Sequence, residues 1–191
     1  MTSFTVDFNS VIDLTDEQFY QLCQKNRDLK FERSATGELI IMAPPGGDTG
    51  RSNFEIAVES GIWNRRTKLG VAFGSSTGFK LPNGANRSPN VAWIQQARWD
   101  GLTAEQKAGF IPLCPDFVIE LLSPSDRLTT VQEKMQEYRE NGVQLGWLID
   151  RSSQQVEIYS RDRDVEILKS PITLSGEGIL PGFVLNLDSV W

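Results

Sequence analysis

Histidine is absent from this sequence of 191 residues. Its absence excludes Ser-His-Asp triads, Cys-His dyads and histidine metal ligands. Any hydrolytic chemistry must therefore use carboxylates, lysine and a hard cation. Cysteine is also scarce, and Cys23 and Cys114 have no metal-binding spacing, so we expect both to be reduced.

The sequence has little positive charge and no long apolar run. No run approaches the roughly 20 residues of a membrane-spanning helix, and the N-terminal residues lack the pattern of a signal peptide. We therefore expect a cytoplasmic protein without membrane contact. The net charge of −6 argues against simple nucleic-acid binding, although residues 51–87 have a local positive bias. The length indicates one domain over residues 1–191, with a core of about residues 30–170 and a docked tail over 171–191.

The stretch most suited to chemistry is residues 115–142. Its first part, PDFVIELL, is nearly continuously apolar, as in a strand that is buried on both faces. Asp116 and Glu120 interrupt it at a spacing of four residues, so both carboxylates point to the same face of the strand. Because a buried carboxylate is costly unless it is paired, we expect a cation near this face.

A helix is predicted after this strand, ending near Gly142, with the turn at residues 123–126 as its cap. Lys134 lies beside the apolar stripe of this helix, where its long stem brings the ammonium back over the end of the strand. A second strand at 143–150 completes a parallel crossover unit. Carboxylates and a lysine at such a strand end indicate a divalent-metal site. The residues of the helical stripe are Leu128, Val131, Met135 and Tyr138.

The remaining secondary structure is predicted from capping and turn residues. Thr15 and Thr103 each begin a capping box and therefore a helix. Asp48 or Thr49 is expected to cap a longer helix that ends near residue 68. Two hairpins are predicted, at residues 29–43 and 71–81, and a short apolar strand at 91–94.

Three further acids lie in these elements. Glu32 and Glu38 belong to the first predicted hairpin, where we expect both to lie on solvated strand faces. Glu55 lies on the long helix and is expected to be an ordinary surface residue. Glu38 and Glu55 are retained as candidate supporting residues of a metal site.

The order of these elements resembles the restriction-endonuclease-like fold of the PD-(D/E)xK nuclease superfamily. More closely, the chain resembles the Uma-type family of bacterial endonucleases, long catalogued as a domain of unknown function. The resemblance covers nearly the whole chain from about residue 30. It implies an α/β protein with a central mixed β-sheet, flanking helices, and an additional N-terminal helix and hairpin. The phrases that carry it, specific as a set, are GELIIMAPPGGDTG, SSTGFKLPNGANRSPNVAWI, PDFVIELLSPSDR, KMQEYRENGV, GWLID and ILPGFVLNLDSVW.

The resemblance also implies a site that hydrolyses phosphodiester bonds of DNA with Mg²⁺ or Mn²⁺. Glu120 matches the metal-binding glutamate of the family, and Lys134 matches its lysine, which lies on the following helix instead of at the usual superfamily position, here Leu122. The position of the metal-binding aspartate is held by Asn90, whose amide brings no negative charge to a cation. Asp116 is the weaker ligand candidate, because it lies about 13 Å from Glu120 along an extended strand.

Two functions follow, and the sequence leaves both open. The retained Glu120 and Lys134 favour a Mg²⁺-dependent DNA endonuclease. Asn90 and the acidic composition favour a nuclease-fold protein with impaired catalysis that acts as a binding or assembly module. A structural oligomer subunit is a third interpretation, based only on five tryptophans and an apolar tail. A homodimer is expected by analogy, and no DNA-binding residues are predicted.

Overall fold

The fold is described from a computed structural model that covers residues 3–8, 11–176 and 178–191. Its helices are α1 (Asp16–Lys25), α2 (Gly47–Thr67), α3 (Gln96–Asp100), α4 (Ala104–Ala108) and α5 (Leu128–Glu140). Its strands are β1 (Ser3–Val6), β2 (Lys30–Arg33), β3 (Leu39–Met42), β4 (Gly70–Gly74), β5 (Phe79–Lys80), β6 (Asn86–Arg87), β7 (Val91–Gln95), β8 (Phe117–Leu122), β9 (Leu145–Asp150), β10 (Gln155–Ser160), β11 (Glu166–Lys169), β12 (Thr173–Ser175) and β13 (Val184–Asn186).

A six-stranded mixed sheet lies at the centre, in the order β11-β10-β9-β8-β7-β4. Strands β8 and β9 are parallel, as the crossover through α5 requires, and their register pairs Glu120 with Leu148. The other neighbouring strands of this sheet are antiparallel. The predicted α/β class with a central mixed sheet and flanking helices is confirmed.

Both faces of the central sheet are covered. One face packs against α2 through Ile56 and Trp63, and against the C-terminal segment through Phe183. The other face packs against α5 through Met135 and Tyr138. Because side chains alternate along β8, its Val118 and Glu120 point toward α5.

A second, antiparallel sheet has the order β1-β3-β2-β6-β5. Helix α1 packs on it through Phe19, which contacts Phe31 and Leu39. Residues 88–90 connect β6 of this sheet directly to β7 of the central sheet. This short connection brings β2 close to the ends of β7 and β8, which positions the site.

The helix starts agree only in part with the sequence-based predictions. Thr15 and Thr103 each form the predicted capping box. The prediction that Asp48 or Thr49 caps α2 is wrong, because Gly46 is its N-cap and makes no side-chain cap hydrogen bond. The predicted cap at residues 123–126 is wrong as well: Arg127 is the N-cap of α5, and the turn before it is closed by the Ser123 N–H, which donates to Asp126.

The predicted hairpin at residues 71–81 is also wrong. Strand β4 pairs with β7 in the central sheet, whereas β5 pairs with β6 in the second sheet. Neighbouring strands in the sequence therefore belong to different sheets. A local turn pattern cannot reveal this, because the partner of each strand lies farther along the chain.

Within the described ranges, no helix is both long enough and apolar enough to cross a membrane.

Candidate functional site

The crossover unit brings Glu120 and Lys134 into contact. Glu120 lies on β8 with 7% of its surface exposed, and the Lys134 Nζ lies 2.7 Å from its Oε1. The Tyr138 hydroxyl, one helical turn after Lys134, donates to the same oxygen at 3.1 Å. Helix α5 thus directs two polar groups onto one carboxylate at the end of the sheet.

Glu32 is a third member of this cluster, and the sequence-based interpretation of it is wrong. It was expected on a solvated strand face, but only 2% of it is exposed. The Lys134 ammonium donates to Glu32 Oε1 at 2.8 Å, so it lies between two carboxylates. A single acid between Phe31 and Arg33 in a four-residue strand has no periodic pattern that could have revealed its burial.

Arg87 and Ser88 hold Glu32 from the side of β6. Arg87 lies 3.3 Å from Glu32 Oε2 and 2.5 Å from a carboxylate oxygen of Glu137 on α5. The Ser88 backbone N–H donates to Glu32 Oε1 at 2.8 Å. Residues from both sheets and from α5 therefore form one buried network of alternating charge.

The two carboxylates that share Lys134 have opposite pKa shifts. Burial alone would raise the pKa of Glu32, but the charges of Lys134, Arg87 and Lys30 outweigh it and lower the pKa to about 2. Burial also raises the pKa of Glu120, and there Lys134 offsets the effect only in part. The difference follows from their partners, because Glu32 has two close cations and a backbone donor.

Asn90 uses its side-chain oxygen within the protein. Its Oδ1 accepts a hydrogen bond from the Leu121 backbone N–H at 2.9 Å, and 6% of the residue is exposed. Leu121 directly follows Glu120, so the amide fixes the end of β8 against the start of β7. Asn90 also lines the pocket, and its Nδ2 makes no hydrogen bond to a described residue.

The structure does not bring the other candidates to Glu120 and Lys134. Asp116 lies just before β8, where it accepts hydrogen bonds from Arg98 at 2.7 Å and Gln144 at 2.6 Å. Glu55 is half-buried on α2 and is not among the described residues that line the pocket. Glu38 does line the pocket, at its edge, where its carboxylate accepts a hydrogen bond from Thr36.

A pocket of about 630 Å³ opens over this network, between the second sheet and the end of the central sheet. Glu32, Asn90, Glu120 and Lys134 all line it. Hydroxyl, amide and charged groups surround them, and none of the described lining residues is aromatic. The other polar lining residues are Thr5, Lys30, Ser34, Glu38, Thr49, Asn53, Arg87, Ser88, Ser123, Ser125, Asp126, Arg127, Thr130, Glu133 and Glu137.

These residues do not suit a divalent cation as they are arranged. The Asn90 oxygen already accepts the Leu121 N–H, and Glu32 and Glu120 both face the Lys134 ammonium. In the parts of the chain that the structure describes, no three acidic, cysteine or histidine side chains form a metal-binding group. The formal charges also cancel without a cation, since three acids in the network face three bases: Glu32, Glu120 and Glu137 against Lys30, Arg87 and Lys134.

The chain is similar to known proteins in both sequence and fold. Residues 16–188 match the model of the Uma2 family, described as putative restriction endonuclease. No curated protein matches the chain. The fold is similar to the crystal structure of a putative nuclease belonging to DUF820 from Anabaena variabilis ATCC 29413, with a TM-score of 0.71 and 20% sequence identity over 84% of this chain and 88% of that chain.

Proposed function

Since this chain belongs to the Uma2 family of putative restriction endonucleases, we propose that its pocket binds the phosphodiester backbone of DNA and that Asn90 suppresses hydrolysis. In this proposal Lys134 and Glu120 are the central pair of the site. Lys134 supplies positive charge to a bound phosphate, and Glu120 holds the ammonium in place. Polar lining without aromatic side chains suits contact with the backbone of a nucleic acid better than stacking of its bases.

The observation that carries the proposal is the hydrogen bond between Asn90 Oδ1 and Leu121 N–H. This bond occupies Oδ1, the atom that would otherwise be a ligand for a hard cation. The amide NH₂ group, which is a donor, is left at the pocket. An aspartate at this position would keep the bond to Leu121 with one oxygen and offer the other to a cation. One side-chain atom therefore decides whether position 90 attracts a cation or repels it.

The second candidate function is a Mg²⁺- or Mn²⁺-dependent DNA endonuclease. The contact of 2.7 Å between Glu120 and Lys134 favours it, since both residues match the family motif. In this case Glu120 would hold the cation and Lys134 would stabilise charge that develops on the phosphate. The cation would supply a Lewis acid, with Asn90 as a tolerated neutral neighbour.

The two candidates are separated by cleavage of plasmid DNA in Mg²⁺ or Mn²⁺. We expect the wild type to bind DNA in EDTA, measured by fluorescence anisotropy, and not to cut it in either metal. We expect Asn90→Asp to cut, and Asn90→Asp/Lys134→Ala to lose that cleavage. Cleavage by the wild type that Lys134→Ala abolishes would establish the second candidate instead, and absence of DNA binding would reject both.

A further inference from the structure

Apart from the exposed Arg127, three basic side chains line the pocket, and two of them form ion pairs with carboxylates. Lys134 contacts both Glu32 and Glu120. Arg87 contacts both Glu32 and Glu137. Lys134 and Arg87 therefore share their positive charge between these carboxylates and any ligand in the pocket.

Lys30 is the third basic side chain, and it has a different environment. It lies on β2, half-buried, and its Nζ donates to the Ser88 backbone carbonyl at 3.2 Å. In the described part of the chain it makes no ion pair with a carboxylate. An ammonium group has three donors, so Lys30 retains donors at a place where water is restricted.

Such an ammonium is stabilised when an anion completes its hydrogen bonds. Burial lowers the pKa of Lys30, and the opposing effect of the nearby charges of Glu32 and Glu120 is smaller. A partly buried ammonium whose donors are not all satisfied is costly. A ligand with negatively charged oxygens would remove this cost, whereas a metal cation would increase it.

A second donor lines the same pocket as Lys30. Its acceptor, Ser88, is separated from Asn90 only by Pro89, and the Asn90 amide nitrogen makes no hydrogen bond to a described residue. Both Lys30 and Asn90 line the pocket. An ammonium and an amide NH₂ group in one pocket are donors from which phosphate oxygens accept hydrogen bonds.

We propose that Lys30 and the Asn90 amide form an anion subsite that takes one phosphate group without a metal ion. The identification of this phosphate as part of DNA rests on the function proposed above; the subsite itself does not. The subsite also gives Asn90 a role in binding, in addition to its bond to Leu121.

The test compares Lys30→Met with Lys169→Met, which removes the same charge from the exposed end of β11. Binding of a fluorescein-labelled oligonucleotide is followed by anisotropy in EDTA at several salt concentrations. We expect Lys30→Met to weaken binding by about tenfold or more and to reduce the salt dependence by about one phosphate contact. We expect Lys169→Met to behave like the wild type, and Lys30→Arg to retain binding if the loss is due to charge.

A second probe, inorganic phosphate, separates failure of the subsite from failure of the proposed function. We expect phosphate to raise the melting temperature of the wild type and of Lys169→Met, and not that of Lys30→Met. If Lys30→Met and Lys169→Met responded equally to either probe, the subsite would be overturned. The DNA-binding proposal would still stand in that case, provided that the oligonucleotide bound. A response to phosphate that depends on Lys30, without oligonucleotide binding, would support the subsite and reject DNA as its ligand.

Discussion

At the scale of the residue, the proposed function depends on the side-chain amide of Asn90. Asn90 and an aspartate have nearly the same shape, and both can accept the Leu121 N–H. They differ in the group that remains, which is a donor in the amide and an acceptor in the carboxylate. We therefore expect an aspartate at position 90 to keep the bond to Leu121 and to change only the group that faces the pocket.

The structural part of this role can be tested on its own. Asn90→Ala removes the acceptor of a buried N–H, and we expect it to lower the free energy of unfolding by about 1–3 kcal/mol. Asn53→Ala is the control, because the side-chain oxygen of Asn53 is buried without a hydrogen bond in the described structure. Urea denaturation of both variants measures the difference. A loss at Asn53 as large as that at Asn90 would contradict the role of the bond to Leu121.

Glu32 gives a second prediction at this scale, on the dependence of stability on pH. Its pKa falls from 4.5 to about 2 in the folded protein. A lowered pKa stabilises the folded state above the unfolded pKa, and this stabilisation is lost as the pH falls from about 4.5 toward 2. Glu32→Gln removes the titrating group, so we expect its stability to fall less than that of the wild type over this acid range, by roughly 1 kcal/mol per pH unit.

Urea unfolding at a series of acid pH values measures the effect. Glu38→Gln is the matched control, since Glu38 lines the same pocket but accepts its hydrogen bond from the neighbouring Thr36. Parallel pH profiles for wild type and Glu32→Gln would show that Glu32 does not depend on its cations as described.

At the scale of the element, β4 approaches β7 closely at its first residue. Gly70 begins β4, and a Cβ atom there would lie 2.1 Å from the Ile94 carbonyl oxygen and 2.5 Å from the Trp93 ring. At Gly74, at the other end of the same strand, nothing lies within 4 Å of such an atom. A residue without a side chain is therefore needed at the first position only.

This contrast predicts that replacing glycine by alanine has unequal effects on stability at the two ends of β4. We expect Gly70→Ala to lower the free energy of unfolding by about 1–3 kcal/mol or more, because a backbone oxygen cannot move aside as a side chain can. We expect Gly74→Ala to be close to neutral. Thermal denaturation checks both variants, and equal melting temperatures would refute the close packing of β4 on β7.

Local patterns predicted the elements whose partners are near in sequence. The apolar run of β8, the helical stripe of α5 and the short joints between them specify a crossover unit without further information. Thr15 and Thr103 specify their capping boxes within four residues. The hairpin at 71–81 was wrong because β4 pairs with β7, which is distant in sequence, and β5 pairs with β6, the next strand after it.

At the scale of the whole molecule, the site depends on contacts that no local pattern contains. Lys134 and Glu32 are separated by 102 residues, and they meet because the short connections at residues 75–78 and 88–90 hold the two sheets together. Glu120 and Lys134 were predicted from the strand and helix pattern and from the resemblance. Glu32, Arg87 and Lys30 were not, since the short strands β2 and β6 have no pattern that shows which of their charges face the pocket. The expected homodimer stays a prediction.

The C-terminal segment is a further whole-molecule feature, because it closes the face of the central sheet opposite α5. Phe183 is 2% exposed, and its ring stacks on that of Trp147 with centroids 5.9 Å apart, whereas the adjacent Val184 is 55% exposed. We expect Phe183→Ala to cost about 3–5 kcal/mol of stability and Val184→Ala to cost little. A small effect of Phe183→Ala on the melting temperature would show that this segment is not part of the core.

The central claim is that the Asn90 amide makes the pocket bind anions, whereas an aspartate there would make it bind cations. Calorimetric titration of Mn²⁺ tests this claim most directly. We expect no saturable binding to the wild type and saturable binding to Asn90→Asp, which Glu120→Gln in that background should abolish. Binding of Mn²⁺ to the wild type with the same affinity as to Asn90→Asp would contradict the claim.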